Sequence, residues 1–331
     1  MKDVTIIGAG PVGLFGAFYA GLRGMSVRII DSLSEPGGQL TALYPDKPIY
    51  DMPGFPEVKA RDLARAMTIQ AERFSPEWVL GEQAQTLEPI EGGWRVGTTS
   101  GSYDSKTVIL CGGVGAFQPT RLGVEREDEY LGKGLGYGVQ DRDALANKHV
   151  IVVGGGDSAL DWALNLDGFA ASVTLVHRRD QFRAHEESVR QLERSNVRVR
   201  LWETVAELIG EDQIEAVVVE NRQTNERTRL DCDYLSVNIG FKTDLGPLRS
   251  WGLELQRNKI QVDQRMQTNL PGVFAAGDIC THEAKLDLIA TGVGEVCIAV
   301  NVAKTLIEPD AKLFPGHSSD MELPPVSEGQ A

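Results

Sequence analysis

A degenerate internal repeat constrains the fold of this chain more than any other feature of its sequence. The run VTIIGAGPVG that begins at Val4 matches the run VIVVGGGDSA that begins at Val150. Each copy is a short β-branched segment followed by a glycine-rich turn and then by a helical pattern, which is the order of a βαβ nucleotide-binding unit. The repeat predicts an α/β protein with two Rossmann-like nucleotide-binding domains.

The first copy carries the glycine spacing of a dinucleotide-binding turn. Gly8 makes the tight turn after the strand, Gly10 lets a pyrophosphate approach the backbone, and Gly13 allows the helix to pack closely on the strand. The helix N-terminus adds unpaired N–H groups and the positive end of a dipole. Asp31, at the end of the second predicted strand, can accept hydrogen bonds from ribose hydroxyls. The first copy is therefore a predicted nucleotide site.

The second copy differs where the cofactor specificity is decided. His177 occupies the position equivalent to Asp31, and Arg178 and Arg179 follow it directly. Guanidinium groups bind a 2′-phosphate through charge-assisted hydrogen bonds, whereas a carboxylate would repel it. We therefore expect FAD at the acidic first site and NADP(H) at the basic second site. The candidate NADP(H) residues are Gly154, Gly156, Asp157, Ser158, His177, Arg178, Arg179 and Arg183.

Composition excludes several other classes of protein. A length of 331 residues is typical of about two domains, and 42% hydrophobic with 24% charged residues is ordinary globular usage. The formal net charge of −14 argues against a nucleic-acid-binding protein, because neutralising phosphates needs a basic face. The four cysteines lack the spacing of metal ligands, so no metal is expected. We find no signal peptide or uncharged membrane-spanning run, and we expect a cytoplasmic protein without membrane attachment.

Glycine clusters mark the predicted domain boundaries. Gly112, Gly113 and Gly115 precede the second copy of the repeat, and Gly240 follows it. The second nucleotide domain is therefore expected to be inserted into the first. Residues 1–113 and 242–331 would form the discontinuous FAD-binding domain, with a C-terminal tail at 308–331, and residues 114–241 would form the NADPH-binding domain.

Further motifs resemble a known family over almost the whole chain. The runs GGQL at 37–40, HRRDQFRAH at 177–185 and AGDI at 276–279 are similar to the thioredoxin reductase superfamily of FAD-dependent pyridine nucleotide-disulfide oxidoreductases. Within it, LTALYP at 40–45 and GHSS at 316–319 resemble the thioredoxin reductase-like ferredoxin-NADP reductases.

The chain departs from thioredoxin reductases at one point. Those enzymes carry a Cys-x-x-Cys pair shortly before the second glycine motif, but residues 131–143 contain no cysteine here. Without a dithiol, electrons that reach the flavin cannot leave by thiol–disulfide exchange and must leave from the flavin itself. A flavin accepts a hydride and can release single electrons, which suits a carrier such as ferredoxin.

The resemblance implies roles for individual residues. Asp31 would bind the adenosine ribose of FAD, and Ala84 would meet the adenine through its backbone. Tyr44 would stack on one face of the isoalloxazine, and His317 would cover the other. No side chain is expected to act as a general acid or base. The implied FAD-binding residues, apart from His317, are Gly8, Gly10, Gly13, Asp31, Gly38, Gln39, Tyr44, Ala84, Phe117, Asp278 and Ser318.

The implied activity is electron transfer between NADPH and ferredoxin or flavodoxin. Hydride transfer at flavin N5 would be followed by one-electron steps to the carrier. The family also implies a homodimer, and we expect the helix that begins near 286–288 to direct its N-terminus at the flavin. An acidic carrier needs a positive patch, and the densest basic region consists of Arg190, Arg194, Arg198 and Arg200 together with Arg178 to Arg183.

Two alternatives remain open from the sequence alone. The first is an NADPH-dependent flavoprotein that reduces another acceptor, such as a disulfide protein, a quinone or oxygen. The second is a flavin-binding sensor with negligible turnover, which the complete basic nucleotide site argues against.

Overall fold

Both copies of the repeat form a strand, a glycine turn and a helix in the computed structural model, as the sequence predicts. Lys2–Ile7 is a strand that leads into the helix Pro11–Leu22, and His149–Gly154 leads into the helix Asp157–Leu166. The structure describes residues 1–113, 115–139, 141–321 and 323–325, without the side chains of 116–118 and 241–244. The α/β fold class with parallel sheets is confirmed.

The chain divides into two compact units. Met1–Phe117 and Thr243–Ala331 together form one unit, which we call the discontinuous unit. Gln118–Lys242 forms the other, which we call the inserted unit.

Strands and helices alternate along both units. The strands are β1 Lys2–Ile7, β2 Val27–Asp31, β3 Pro48–Ile49, β4 Val58–Lys59, β5 Glu77–Leu80, β6 Ala84–Ile90, β7 Gly93–Thr98, β8 Ser102–Leu110, β9 Ala116–Pro119, β10 Leu135–Gly136, β11 His149–Gly154, β12 Ser172–His177, β13 Arg198–Leu201, β14 Glu203–Ile209, β15 Ala216–Asn221, β16 Arg227–Asp231, β17 Tyr234–Asn238, β18 Phe241–Asp244, β19 Leu255–Gln256, β20 Lys259–Gln261, β21 Val273–Ala275 and β22 Cys280–Thr281. The α-helices are α1 Pro11–Leu22, α2 Gln39–Ala42, α3 Ala60–Glu72, α4 Glu127–Tyr130, α5 Asp157–Leu166, α6 Glu186–Glu193 and α7 Ile289–Ile307. Short 3₁₀ helices span Asp143–Leu145, Gly246–Ser250 and Ser318–Asp320.

The discontinuous unit is built on one seven-stranded sheet. Strands β5, β2, β1, β8 and β21 are parallel neighbours in that order, and β7 and β6 continue from β8 as an antiparallel hairpin. Helix α1 packs against α3 and α7. Because helices cover the parallel strands, these read as nearly continuous apolar runs, and Val4, Ile6, Ile29, Ile109 and Phe274 are fully buried. The carboxyl ends of β1 and β2 therefore meet at the first glycine turn, where open parallel sheets bind ligands.

The inserted unit repeats this plan with a smaller sheet. Strands β10, β17, β11, β12 and β13 are parallel neighbours in that order. Helix α5 packs on β11 and β12 and against α6. Strands β14, β15 and β16 form a separate antiparallel sheet whose apolar residues, Val205, Val217 and Val219 among them, pack in one core cluster with the parallel strands. The second glycine turn thus lies at the carboxyl end of β11.

Helix α7 is the one helix among the described residues that is long and apolar enough to cross a membrane by length and composition. Val296, Ala299 and Val300 on this helix are fully buried in the core of the discontinuous unit. Its neighbour α1 covers one side. These contacts identify α7 as a core helix of that unit.

Candidate functional site

A cavity of about 390 Å³ opens in the discontinuous unit beside the first glycine turn. Segments distant in sequence converge on it, because the carboxyl ends of the parallel strands meet at this edge of the sheet. Candidate residues from the sequence that line it are Gly8, Gly10, Asp31, Gly38, Gln39, Tyr44, Ala84 and Asp278. The lining also includes residues that were not predicted, Cys111, Leu245, Pro247 and Leu248 among them. The structure thus brings most of the predicted FAD residues together.

Each glycine of the first turn has a distinct steric reason. A Cβ on Gly8 would collide with the Cys111 carbonyl, and the φ of Gly8 is +112°. A Cβ on Gly13 would collide with the Gly8 carbonyl, so α1 can approach β1 only without a side chain there. A Cβ on Gly10 would meet no described atom within 4 Å. Gly10 therefore leaves open space at the N-terminus of α1, where an anionic group can reach backbone N–H groups.

The Asp31 carboxylate holds the loops around this turn. Its Oδ2 accepts a hydrogen bond from the Ala9 N–H at 2.6 Å, and its Oδ1 accepts one from the Leu33 N–H at 2.8 Å. Burial raises the pKa of Asp31, while these two hydrogen bonds oppose the rise. Each carboxylate oxygen accepts more than one hydrogen bond, so Asp31 can still accept from a ligand hydroxyl in the cavity.

Tyr44 and Asp278 both line the same cavity, and the charge of Asp278 acts on Tyr44. Burial raises the pKa of Tyr44, and the charges of Asp278 and Asp51 raise it further. Burial likewise raises the pKa of Asp278.

Gly38, at φ +58°, immediately precedes α2 and lies close to Gly10. A Cβ on Gly38 would lie 2.9 Å from the Gly10 Cα.

The second glycine turn has the same construction in the inserted unit. A Cβ on Gly154 would collide with the Asn238 carbonyl, whereas a Cβ on Gly156 would meet no described atom within 4 Å. Helix α5 begins at Asp157 without a side-chain cap, and Ser158 follows in its first turn. The open space at Gly156 therefore faces N–H groups that have no intrahelical acceptor.

His177 packs against this turn. Its ring lies directly over Gly155, stacks on Phe182 with 5.1 Å between ring centres, and is 3.0 Å from the Gln181 carbonyl through Nε2. Burial lowers the pKa of His177, and the charges of Arg178 and Arg179 lower it further. The His177 ring therefore stabilises the glycine turn by packing against Gly155.

The segment after His177 folds back onto the glycine turn. The Arg183 N–H donates to the Gly155 carbonyl at 2.7 Å, and the His185 N–H donates to the Asp157 carboxylate at 2.9 Å. The side chains of Arg178, Arg179 and Arg183 are exposed, and within the described residues none of the three makes an ion pair. These hydrogen bonds tie the arginines to the edge of the turn.

Three predicted FAD residues, Gly13, His317 and Ser318, do not line the cavity. His317 and Ser318 are exposed and do not line it, and the His317 ring meets Phe314 edge-on at 5.4 Å. The side chain of Phe117 lies outside the described part of the structure.

A buried polar group next to this site was given no role in the sequence prediction. Glu295 lies in the apolar helix α7, and its carboxylate accepts the Gly277 N–H at 2.8 Å. A single acidic residue within an otherwise apolar run was the available signal, since buried carboxylates need partners. The partners themselves come from another segment and carry no motif.

A family model and curated relatives match the chain over most of its length. The model described as pyridine nucleotide-disulphide oxidoreductase matches residues 2–300. A ferredoxin–NADP reductase of Geobacillus thermodenitrificans is 51% identical over 96% of this chain and 97% of its own length. A ferredoxin–NADP reductase 2 of Shouchella clausii is 50% identical, with 97% and 98% covered.

Solved structures show the same architecture. The thioredoxin reductase of T. acidophilum has a TM-score of 0.76 at 28% identity and covers 92% of this chain and 98% of its own. That of Lactococcus lactis has a TM-score of 0.77 at 28% identity, with 93% and 99% covered. The resemblance inferred from the sequence motifs is confirmed, and the chain belongs to the pyridine nucleotide-disulphide oxidoreductase family.

Proposed function

We propose that this protein is an FAD-dependent oxidoreductase that transfers electrons between NADPH and ferredoxin or flavodoxin. The observation that carries the proposal is its similarity, at about 50% identity over nearly the full length of both chains, to proteins named ferredoxin–NADP reductase. The two glycine turns supply one dinucleotide site in each unit.

The residues of the cavity fit FAD. Gly10 leaves room for a pyrophosphate at the N-terminus of α1, and Asp31 presents a carboxylate at the end of β2, where an adenosine ribose would lie. When bound, FAD supplies the chemistry of accepting a hydride and passing electrons on singly. The residues that would hold it are Gly8, Gly10, Gly13, Asp31, Gly38, Gln39, Tyr44, Ala84, Phe117 and Asp278.

The inserted unit is the proposed NADPH site. Gly154, Gly156, Asp157 and Ser158 would hold the pyrophosphate at the start of α5. Arg178, Arg179 and Arg183 are exposed cations on the segment that His177 anchors. Three guanidinium groups without a carboxylate partner among the described residues would bind a 2′-phosphate strongly.

The cysteines of the chain support direct electron transfer from the flavin. All four are free. Burial raises the thiol pKa to about 12 in Cys232 and Cys280 and to about 11 in Cys297, and it raises the pKa of Cys111 as well. The thiolate is the nucleophile in disulfide exchange. Because a raised pKa keeps these thiols protonated, they are poor donors in thiol–disulfide exchange. Free thiols also suit a cytoplasmic location.

We assign His317 and Ser318 to the flavin of a partner subunit in a homodimer. Both residues are exposed and stand away from the cavity of their own chain. The Arg23 guanidinium donates to the Lys312 carbonyl at 2.6 Å, which ties the start of the tail to the unit.

Exposed apolar side chains near the tail support this association. Ile298 and Leu306 on α7 are 42% and 49% exposed, and Leu313 and Phe314 are 54% and 63% exposed. Burying these side chains against a second copy would be favourable.

The hypothesis of a basic docking patch needs a correction at two of its arginines. Arg190 pairs with Glu186 and Glu187, and Arg200 pairs with Glu203 at 2.6 Å. Their charges are locally neutralised. Arg194 and Arg198 are exposed and make no ion pair within the described residues. The proposed steering of an acidic carrier therefore rests on these two together with Arg178, Arg179 and Arg183.

Anaerobic stopped-flow spectroscopy tests the proposal. NADPH should bleach the bound flavin, and oxidised ferredoxin should then restore its absorbance. Failure of NADPH to bleach the flavin would refute an NADPH oxidoreductase and favour a sensor. Bleaching followed by reoxidation with a quinone, oxygen or a disulfide protein, but not with ferredoxin or flavodoxin, would instead establish a reductase of another acceptor.

A further inference from the structure

A buried charge network lies directly behind the cavity. Glu295, the one acidic residue of α7, accepts hydrogen bonds from the Gly277 N–H at 2.8 Å and from Lys285 Nζ at 2.7 and 2.8 Å. His282 Nε2 is 3.0 Å from the same carboxylate. The side chains of Glu295 and Lys285 are only 5% and 6% exposed.

Stability alone does not explain this network. Desolvating two charges costs several kcal/mol per ion, and well-packed apolar replacements of buried ion pairs are often neutral or stabilising. The surrounding helix is apolar, with Val296 and Ala299 fully buried beside Glu295. A buried pair in such a place calls for a reason beyond stability.

The position of the network next to the cavity supplies such a reason. Gly277 adopts φ +80° and packs against Val12 of the first glycine turn, so no side chain could take its place without strain. Its N–H is held by Glu295, and the next residue, Asp278, lines the cavity. Glu295 therefore fixes the backbone that presents Asp278 to the ligand.

The charges of the network also reach the cavity. Burial and the charge of Asp287 raise the pKa of Asp278, and within the network the charge of Lys285 lowers it whereas that of Glu295 raises it. The electrostatic potentials of two neighbouring opposite charges largely cancel at the cavity. Either charge alone would produce a larger potential there, because the protein interior has a low dielectric constant.

We propose that Glu295 and Lys285 are positioning residues whose balanced charges set the reduction potential of the flavin bound beside the Gly277–Asp278 turn. This inference rests on the proposed function, because it requires FAD in the cavity. Adding electrons to a flavin adds negative charge, which a nearby cation favours and a nearby anion opposes.

The test is the reduction potential of the bound flavin in the purified holoprotein, measured anaerobically against reference dyes. Lys285→Met removes the lysine cation beside Glu295 and should lower the potential, whereas Glu295→Gln leaves the Lys285 cation and should raise it. We expect each change to alter the reduction equilibrium about tenfold, which is about 30 mV for a two-electron couple. The double variant should return close to the wild-type potential.

Two further variants test the same inference if a buried substitution prevents folding. The His282 side chain is 23% exposed, so His282→Lys and His282→Glu can add opposite charges at the edge of the network and should shift the potential in opposite directions. Lys304→Met is the control, since Lys304 pairs with the exposed Glu308 near the far end of the same helix.

Shifts of the same sign in the two buried variants, or no shift beyond that of Lys304→Met, would overturn the inference. If only the His282 variants fold, equal potentials in these two would overturn it. Failure of the wild-type protein to bind FAD would refute the proposed function itself. Unchanged potentials in FAD-loaded variants would refute only this inference, so the two failures are distinguishable.

Discussion

The carboxylate of Asp31 holds the Ala9 N–H at 2.6 Å, across the first glycine turn. The same carboxylate holds the Leu33 N–H at 2.8 Å, so one side chain joins the turn after β1 to the loop after β2. Asp31 thus has a structural task in addition to its proposed contact with the ribose.

Asp31→Ala should weaken FAD binding strongly. The change leaves two backbone N–H groups without their acceptor and removes the acceptor proposed for the ribose. Hydrogen bonds to a charged group contribute about 1.5–3 kcal/mol, so we expect the FAD dissociation constant to rise roughly 10- to 100-fold. Titration of the apoprotein, followed by flavin fluorescence, measures it.

Asp263→Ala is the matched control for this variant. Asp263 also accepts two backbone N–H groups, from Arg265 and Gln267, but it does not line the cavity. Equal losses of FAD affinity in both variants would show that Asp31 acts only through general stability.

Replacing Arg178 and Arg179 together by alanine should reduce the preference for NADPH. Losing charge-assisted hydrogen bonds to the 2′-phosphate should lower kcat/KM for NADPH about 10- to 100-fold, whereas kcat/KM for NADH should change little. The rate of flavin reduction with each cofactor measures both values. Arg229→Ala, which removes an exposed arginine paired with Asp231, should alter neither, and equal losses for NADPH and NADH in the double variant would contradict the assignment.

The repeat predicts the nucleotide-binding units well because its two determinants, the β-branched runs and the glycine turns, are local. β-branched runs and glycine turns act within a few residues of each other, so the strand that ends at Asp31 and the helix that begins after Gly156 lie where the pattern indicates. The start of α7 at Ile289, which lines the cavity, follows closely from the expected position near 286–288.

The remaining features depend on contacts that sequence spacing does not encode. His177 replaces Asp31 in the repeat, but its ring packs over Gly155. The ion pairs of Arg190 and Arg200 remove two cations from the expected basic patch. Glu295 finds its partners only once the segment 277–285 has folded against α7.

Tyr44 should act through its ring and not through its hydroxyl group. Tyr44→Phe keeps the aromatic face and should leave the flavin spectrum and the rate of reduction by NADPH within about twofold of wild type. Tyr44→Leu removes the proposed stacking and should change both. Absorbance spectra and stopped-flow rates measure the effects, and indistinguishable spectra and rates in Tyr44→Leu would contradict stacking.

Removing residues 316–331 should change flavin reactivity without releasing FAD. The tail does not line the cavity of its own chain in the described residues, so the flavin should remain bound while one face loses its proposed cover from a partner. Size-exclusion chromatography, flavin spectra and NADPH reduction rates of the truncated holoprotein test this. His317→Ala should reproduce the spectral change, and an unchanged spectrum in both variants would refute the stacking role.

Asp3 should stabilise the protein only above its depressed pKa. Burial alone would raise the pKa of Asp3, but hydrogen bonds from Lys106 and Ser26 outweigh it and lower the pKa to about 2 from 3.8. The stabilisation is thus complete above pH 3.8 and is lost as the pH falls toward 2. Asp3→Asn should reduce the free energy of unfolding at pH 7 by about 1–2 kcal/mol, after allowance for solvent screening.

Thermal unfolding of the holoprotein at pH 7, 4 and 3 measures this difference, which should shrink at the lowest pH. Asp231→Asn provides the control, since Asp231 is an exposed partner of Arg229 and should contribute less than about 1 kcal/mol. A difference between Asp3→Asn and wild type that stays constant with pH would contradict the assignment.

The most direct test of the central claim is NADPH-driven reduction of cytochrome c by the FAD-loaded protein, measured with and without ferredoxin. The account predicts slow reduction by the protein alone and a strong acceleration that saturates with added ferredoxin. NADPH should support this acceleration far better than NADH. Cytochrome c reduction that is indifferent to both ferredoxin and flavodoxin, in a protein whose flavin NADPH reduces rapidly, would contradict the account.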